Sequence, residues 1–283
     1  MGLNKKLRGL IDAALDWVYP PRCMVCTDIL PVNGPKWICE NCGGLLAPIT
    51  PPVCVKCGAP TETDGSICSA CRARKRVLSN TSIFVYDDAA REVIHRFKYN
   101  GCRGYAAGFA KLAADSLGMG FFDGLEALVP VPMFPRKRRR RGYNQAEELA
   151  WALSETTGIT VLIDYLKRVR ETRPQAGLTP VERTNNLKGA FALDKPLKLK
   201  SFLLIDDIYT TGETLEACAN LLKQGGAEQV RSLTLAVAVR RETQLKPEGA
   251  EVYGADLNLK KAGEDHGHEN IQFNENIRGS APG

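Results

Sequence analysis

Eight cysteines in four CxxC pairs limit what residues 23–71 can become. Cys23 and Cys26, Cys39 and Cys42, Cys54 and Cys57, and Cys68 and Cys71 all fall within 49 residues. A CxxC turn points two sulfurs and nearby backbone N–H groups at one ion, and two such turns complete a tetrahedron of thiolates at about 2.3 Å. With 12 residues between Cys26 and Cys39 and 10 between Cys57 and Cys68, the spacing gives two four-cysteine zinc sites. Sequential pairing is the default, although spacing alone also allows crosswise pairing. Gly43, Gly44 and Gly58 supply backbone freedom just after the second cysteine of a pair. So few large apolar residues lie here that metal must supply much of the folding free energy. Neither site keeps an open position, so the zinc reads as structural, with catalytic zinc and a redox CxxC as the lesser alternatives.

Ten cysteines in a chain with no export signal favour metal binding over disulfides and place the chain in a reducing compartment, the cytoplasm. Lys5, Lys6 and Arg8 precede a short apolar stretch that Asp12 and Asp16 interrupt, which is the pattern of an amphipathic helix over 1–20 and not of a secretory leader. The longest apolar runs, Phe202–Ile205 and Leu233–Val239, have strand length and cannot cross a bilayer. A hydrophobic share of 44% with 25% charged residues also excludes global disorder across the 283 residues.

The net charge of +6 is local. Arg136, Lys137, Arg138, Arg139, Arg140 and Arg141 form one unbroken block, without which 32 basic residues face 32 acidic ones. A block of this kind fits a phosphate or polyanion partner; the alternative is a solvated loop kept mobile by its own repulsion.

From about residue 80 short apolar runs alternate with helical stretches. Ile83–Tyr86, Ala127–Val131, Thr160–Ile163, Phe202–Ile205 and Leu233–Val239 read as strands, the last two apolar enough for a buried parallel sheet. Gln145–Thr157 and Glu213–Gln224 read as helices, the first with Asn144 as cap and Gly158 as stop. Cys218 falls on an apolar helix face with Leu215 and Leu222 and reads as core; His95 lies in a helix around 91–98, where Arg96 and Lys98 can reach phosphates. The expected class is α/β, a mainly parallel sheet flanked by helices over 80–240, following a double zinc ribbon over 21–75 and followed by a polar, disordered tail over 241–283 that holds His266 and His268.

The run from Phe202 to Thr214 is a buried strand, two acids, a hydroxyl-rich turn and a helix start. Its backbone N–H groups and the hydroxyls of Thr210, Thr211 and Thr214 suit a phosphate at the positive end of a helix dipole, and Gly212 lets the backbone come close. Asp206 and Asp207 suit a vicinal diol or a hydrated magnesium ion. The run resembles the 5-phosphoribosyl-1-pyrophosphate (PRPP) signature of type I phosphoribosyltransferases. That resemblance implies the type I phosphoribosyltransferase fold, Asp206 and Asp207 on the ribose hydroxyls as the catalytic pair, the 5-phosphate cradled by Thr210, Thr211, Gly212, Glu213 and Thr214, and magnesium on the leaving pyrophosphate.

Val129-Pro130-Val131-Pro132, the basic loop, and Arg141-Gly142-Tyr143-Asn144-Gln145 are similar to the ComF (ComFC and GntX) family, as is the cysteine module; Arg173–Leu178, Glu182–Asn186 and Gly189–Phe191 look like that family's hood side. The likeness implies Pro130, Val131, Pro132 and Arg141 at the PRPP pyrophosphate. It also implies help in natural transformation, with the basic block and Tyr143 on single-stranded DNA and a competence helicase or translocase as partner. Phe134 and Tyr99 are further stacking candidates, although aromatic residues are more often core. An active transferase with an unknown acceptor is the alternative, and a PRPP-sensing regulator ranks last because no helix-turn-helix pattern is present.

Overall fold

The computed structural model describes residues 20–31, 36–74, 78–172, 186–194, 196 and 198–239. The expected first helix, apart from Pro20, lies outside these residues, as do the run 173–185 and the polar tail.

The cysteines fold into two ribbons built alike. In the first, Cys23 N donates to Asp28 O at 2.8 Å and Thr27 N to Cys23 O at 2.9 Å; in the second, Cys54 N donates to Ala59 O at 2.7 Å and Gly58 N to Cys54 O at 2.9 Å. Each knuckle is closed by one antiparallel bridge, Arg22 with Ile29 and Val53 with Pro60. Each returning cysteine then starts a helical piece, Cys39 before Glu40–Leu46 and Cys68 before Ser69–Arg72. The left-handed residue after the second cysteine is Gly58 (φ 74°) in one ribbon but Thr27 (φ 69°) in the other. Gly43 and Gly44 lie within the helical turn, with no positive φ.

The α/β body follows. Its elements are β1 (Ser79–Val85), α1 (Asp88–Tyr99), α2 (Tyr105–Leu117), β2 (Ala127–Pro130), α3 (Pro135–Arg141), α4 (Gln145–Thr157), β3 (Thr160–Val161), β4 (Leu166–Arg168), β5 (Phe191–Leu193), β6 (Ser201–Tyr209), α5 (Glu213–Gln224) and β7 (Gln229–Val237). Five strands form one sheet in the order β1-β7-β6-β2-β3, every pairing parallel, while β4 and β5 make a small antiparallel sheet. The long apolar runs have a simple cause: both faces of the sheet are covered. Leu203 and Ile205 of β6 join the core with Phe97, Phe109 and Leu149, whereas Phe202 and Leu204 join that with Leu215, Cys218 and Leu222. Burial of each such side chain stabilises by about 1.5–3 kcal/mol before entropy is counted.

Two expectations need correction. The basic block is not a loop but α3: Pro135 presets the first helical turn, Arg and Lys are good helix formers, four arginines sit at the negative end of the helix dipole, and Gly142 N closes it on Arg138 O at 2.7 Å. The strand β6 does not stop at Ile205 but runs through both acids to Tyr209, because β7 continues to pair with it at Asp206–Thr234, Ile208–Ala236 and Tyr209–Val237. The helices α4 and α5 have the expected bounds, and Asn144 caps α4 by accepting from Ala146 N at 3.2 Å.

The ribbons dock on this body. The second knuckle covers the edge strand β1: Asn80 N donates to Lys56 O at 2.9 Å, and Asn80 Nδ2 and Ser82 Oγ both donate to Cys57 O, at 3.0 and 3.2 Å. Approach is so close that a Cβ on Gly58 would sit 2.7 Å from Ser82 N. The first knuckle is held by α1, whose Arg96 Nη1 donates to Met24 O at 3.1 Å and Val25 O at 3.0 Å.

Candidate functional site

The four thiols of each ribbon converge. Cys23, Cys26, Cys39 and Cys42 bring their Sγ atoms within 4.8 Å of one another, and so do Cys54, Cys57, Cys68 and Cys71. Sequential pairing is therefore the arrangement the fold adopts. The Cys26–Cys39 and Cys57–Cys68 sulfurs lie 3.8 and 3.7 Å apart, close to the edge of about 3.8 Å that a tetrahedron with zinc–sulfur bonds of about 2.3 Å requires. Cys39 N and Cys68 N point at Cys23 Sγ and Cys54 Sγ, at 3.4 and 3.3 Å. Four convergent sulfurs with backbone donors fit zinc, and no ligand position is left for substrate.

A cleft of about 750 Å³ opens where β2 stops and β6 continues. The sheet runs outward from this point in two directions, through β2 to β3 and through β6 to β7, and such a switch point is where an open parallel sheet leaves a crevice at its carboxyl ends. Val131 N still donates to Ile205 O at 2.9 Å, and beyond it β2 no longer pairs with β6. The cleft brings together Asp206 and Asp207 from β6, Thr210 from the turn, Thr214 from the start of α5, Val131 and Pro132 from the end of β2, and Arg136, Lys137, Arg140 and Arg141 from α3.

Desolvation at the cleft floor, and then the charge of Asp207 beside it, push Asp206 up to about 7, with Lys98 and Arg168 pulling the other way. Asp207 pairs with Lys98 Nζ at 2.9 Å. Beneath the floor, burial first and Asp206 second raise the thiol of Cys218, which is fully buried as its helix face requires. Partial desolvation and then neighbouring Arg141 lower Lys137, as expected where cations crowd one wall.

Gly212 precedes α5 as its N-cap in the left-handed conformation, φ 75°, and a Cβ there would collide with the Tyr209 hydroxyl. No other residue type fits this turn without strain. Thr211 is 6% exposed and its hydroxyl donates to the Glu213 carboxylate, so this pair and Gly212 shape the turn from behind while Thr210 and Thr214 face the cleft.

Pro130, Arg138, Arg139 and Tyr143 stand apart from the cleft lining. Pro130 ends β2, Arg138 Nη2 pairs with Glu147 Oε2 at 2.7 Å, and Arg139 is exposed on α3. Tyr143 is 4% exposed, with its hydroxyl donating to Phe97 O and Arg103 over its ring at 4.6 Å, so its ring offers no face to the cleft. Tyr99, 59% exposed with the Arg141 guanidinium 4.4 Å above it, and Phe134 are the rings that line the cleft. His95 packs on Tyr99 at 4.8 Å, outside the lining.

Arg168, Glu171 and Thr172 also line the cleft and were not singled out from sequence. Arg168 leaves β4 over the Phe191 ring, its Nη2 donates to Thr172 Oγ1, and its buried Nε has no hydrogen-bond partner among the described residues. A three-residue strand carries too little pattern to reveal these residues; only the β4–β5 pairing places them.

The chain matches a double zinc ribbon domain over residues 14–72 and a phosphoribosyl transferase domain over residues 139–270. Competence protein F of Haemophilus influenzae is 30% identical over 227 residues, 77% of this chain and 97% of that one. The DNA utilization protein YhgH of Salmonella typhimurium is 29% identical over 221 residues, covering 75% and 95%, and competence protein ComFC of Bacillus subtilis is 29% identical over 210 residues, covering 70% and 83%. Among solved structures, a hypoxanthine phosphoribosyltransferase from Staphylococcus aureus aligns with TM-score 0.31 at 16% identity over 48% of this chain and 64% of its own. With the paired ribbons, the parallel sheet and a full-length relative in agreement, the chain belongs to the ComF family of phosphoribosyltransferase-type proteins.

Proposed function

We propose that the cleft binds PRPP with magnesium and that the protein assists natural transformation by handling incoming single-stranded DNA in the cytoplasm. One observation carries the reading: a single cleft sets two adjacent carboxylates and a hydroxyl turn against a wall of cations. Asp206 and Asp207 accept hydrogen bonds from the ribose diol. Thr210, Thr214 and the N–H groups opening α5 hold the 5-phosphate. Lys137, Arg140 and Arg141 stand where the pyrophosphate charge falls. The acid pair fits magnesium, which takes one or two carboxylates plus substrate phosphates and, when bound, neutralises the leaving group. The ribbons are structural zinc sites that shape the body around this cleft.

The names of the relatives speak of competence and DNA utilization, and the outer arginines of α3 supply phosphate contacts for a strand. Among the described residues no helix is long and apolar enough to cross a membrane. Calorimetry tests the ligand: Asp206→Asn with Asp207→Asn abolishes PRPP–magnesium binding while zinc content stays at two per chain, and unchanged affinity removes the ribose assignment. Strand binding is tested by its salt dependence, each neutralised phosphate adding about 0.7 to the log–log slope. The complete turn from Thr210 to Thr214 also favours a second reading, an active transferase, which pyrophosphate release in the same sample would reveal.

A further inference from the structure

Lys98 faces two ways. Its Nζ lies 2.9 Å from Asp207 Oδ1, with the two side chains 17% and 19% exposed. It also lines a side pocket of about 220 Å³ whose other walls are Tyr99, Lys137, Arg140 and Arg141. Among the described residues four cations and no carboxylate line that pocket, a setting for an anion of several charges.

The backbone beneath Lys98 is fixed. Phe97 O accepts from the Tyr143 hydroxyl, Lys98 O accepts from Gln145 Nε2 at 3.4 Å, and Arg96 ties the same helix to the first knuckle. The freedom left is in the four-carbon stem, whose ammonium rotates among partners.

We propose that Lys98 is a positioning cation with two partners: it holds Asp207 when no ligand is bound and transfers to the pyrophosphate group that fills the pocket bounded by Lys137, Arg140 and Arg141. The inference rests on the proposed reading of the cleft as a PRPP site and adds a coupling to it. A diol or divalent cation arriving at Asp207 gives that carboxylate new partners and releases the ammonium. An ammonium left unpaired in a partly buried place is unfavourable, so its transfer to the anion makes the sugar end and the pyrophosphate end bind better together than apart.

The probe is inorganic pyrophosphate without metal, titrated calorimetrically into the full chain and into Asp207→Asn and Lys98→Met/Asp207→Asn. Freed from its partner, Lys98 makes Asp207→Asn bind pyrophosphate more tightly than the unaltered chain does. Removing Lys98 as well weakens binding by about tenfold or more relative to Asp207→Asn. Because the double variant removes both charges, neither is stranded, and thermal melting verifies that it folds. Equal affinities of the two variants overturn the proposal, as does an Asp207→Asn chain that binds no better than the unaltered one. If the unaltered chain binds neither pyrophosphate nor PRPP–magnesium, the reading of the cleft falls first; if it binds PRPP–magnesium while the two variants remain equal, only the role of Lys98 falls.

Discussion

The two ribbons and the α/β body differ in what holds them. In a ribbon the joining atoms are four sulfurs drawn from at most 20 consecutive residues, with few apolar side chains behind them. In the body, Phe97 of α1 shares a core with Leu203 of β6, and Lys98 pairs with Asp207 across more than a hundred residues. The difference teaches where each region is vulnerable. A ribbon loses its centre if one metal leaves, whereas the body spreads its stability over two covered sheet faces.

Chelation gives the largest expected effect. A structural zinc contributes on the order of 10–16 kcal/mol in small modules, so stripping it, or a Cys54→Ser change, dissolves the affected ribbon. Zinc analysis then reads one metal for Cys54→Ser and none after chelation, while circular dichroism keeps most α/β signal. Complete collapse of the sheet on chelation would break the comparison. Leu204→Ala is the converse: Leu204 is fully buried, and its truncation costs about 2–5 kcal/mol in urea unfolding with both zincs retained.

Asn80 sharpens the comparison because it belongs to both regions. It donates to Cys57 O, and its Oδ1 accepts from Ser232 Oγ at 2.9 Å, with Ser82 and Thr234 completing a buried polar network. Asn80→Ala removes one of the two donors to Cys57 O and one partner of Ser232 Oγ, at about 1–3 kcal/mol, so the second ribbon exchanges zinc faster and the sheet melts earlier. Independent responses of the two regions would mean that the joint does not couple them.

The smallest effect is one of pH on the body alone. Asp206 keeps its proton up to about 7, and the diol and metal need the ionised form. Affinity for PRPP–magnesium therefore rises with pH, by up to about tenfold per unit below 7, and levels off above it, measured by calorimetry in matched buffers. The sign for stability is opposite: the retained proton favours the folded chain in acid, and that contribution fades as pH rises through about 7. A flat affinity profile between pH 6 and 8 would place the ionised carboxylate at the floor already.

Legibility followed the same division. Four CxxC pairs, the alternation of strands and helices, and the run from Phe202 to Thr214 were readable because each depends on neighbours in sequence. The stacking role for Tyr143 was open from sequence, where an aromatic beside six cations looks the same buried or exposed; the structure turns its ring inward and leaves Tyr99 at the cleft. Likewise the basic block read from sequence as a cationic loop facing a phosphate partner, and its helical form and its partners Glu147 and Glu171 appear only in the structure.

By itself, then, the sequence determined the two four-cysteine sets, the parallel sheet and the acid–hydroxyl turn, since thiol spacing, apolar period and a strand–turn–helix pattern are local properties. Tertiary structure decided which cations meet the acids. Lys98 from α1 and Arg168 from β4 reach the carboxyl end of β6 only because the strand order puts β6 beside β2 at the switch point, and the depth of that crevice sets both the protonation of Asp206 and the partner of Asp207.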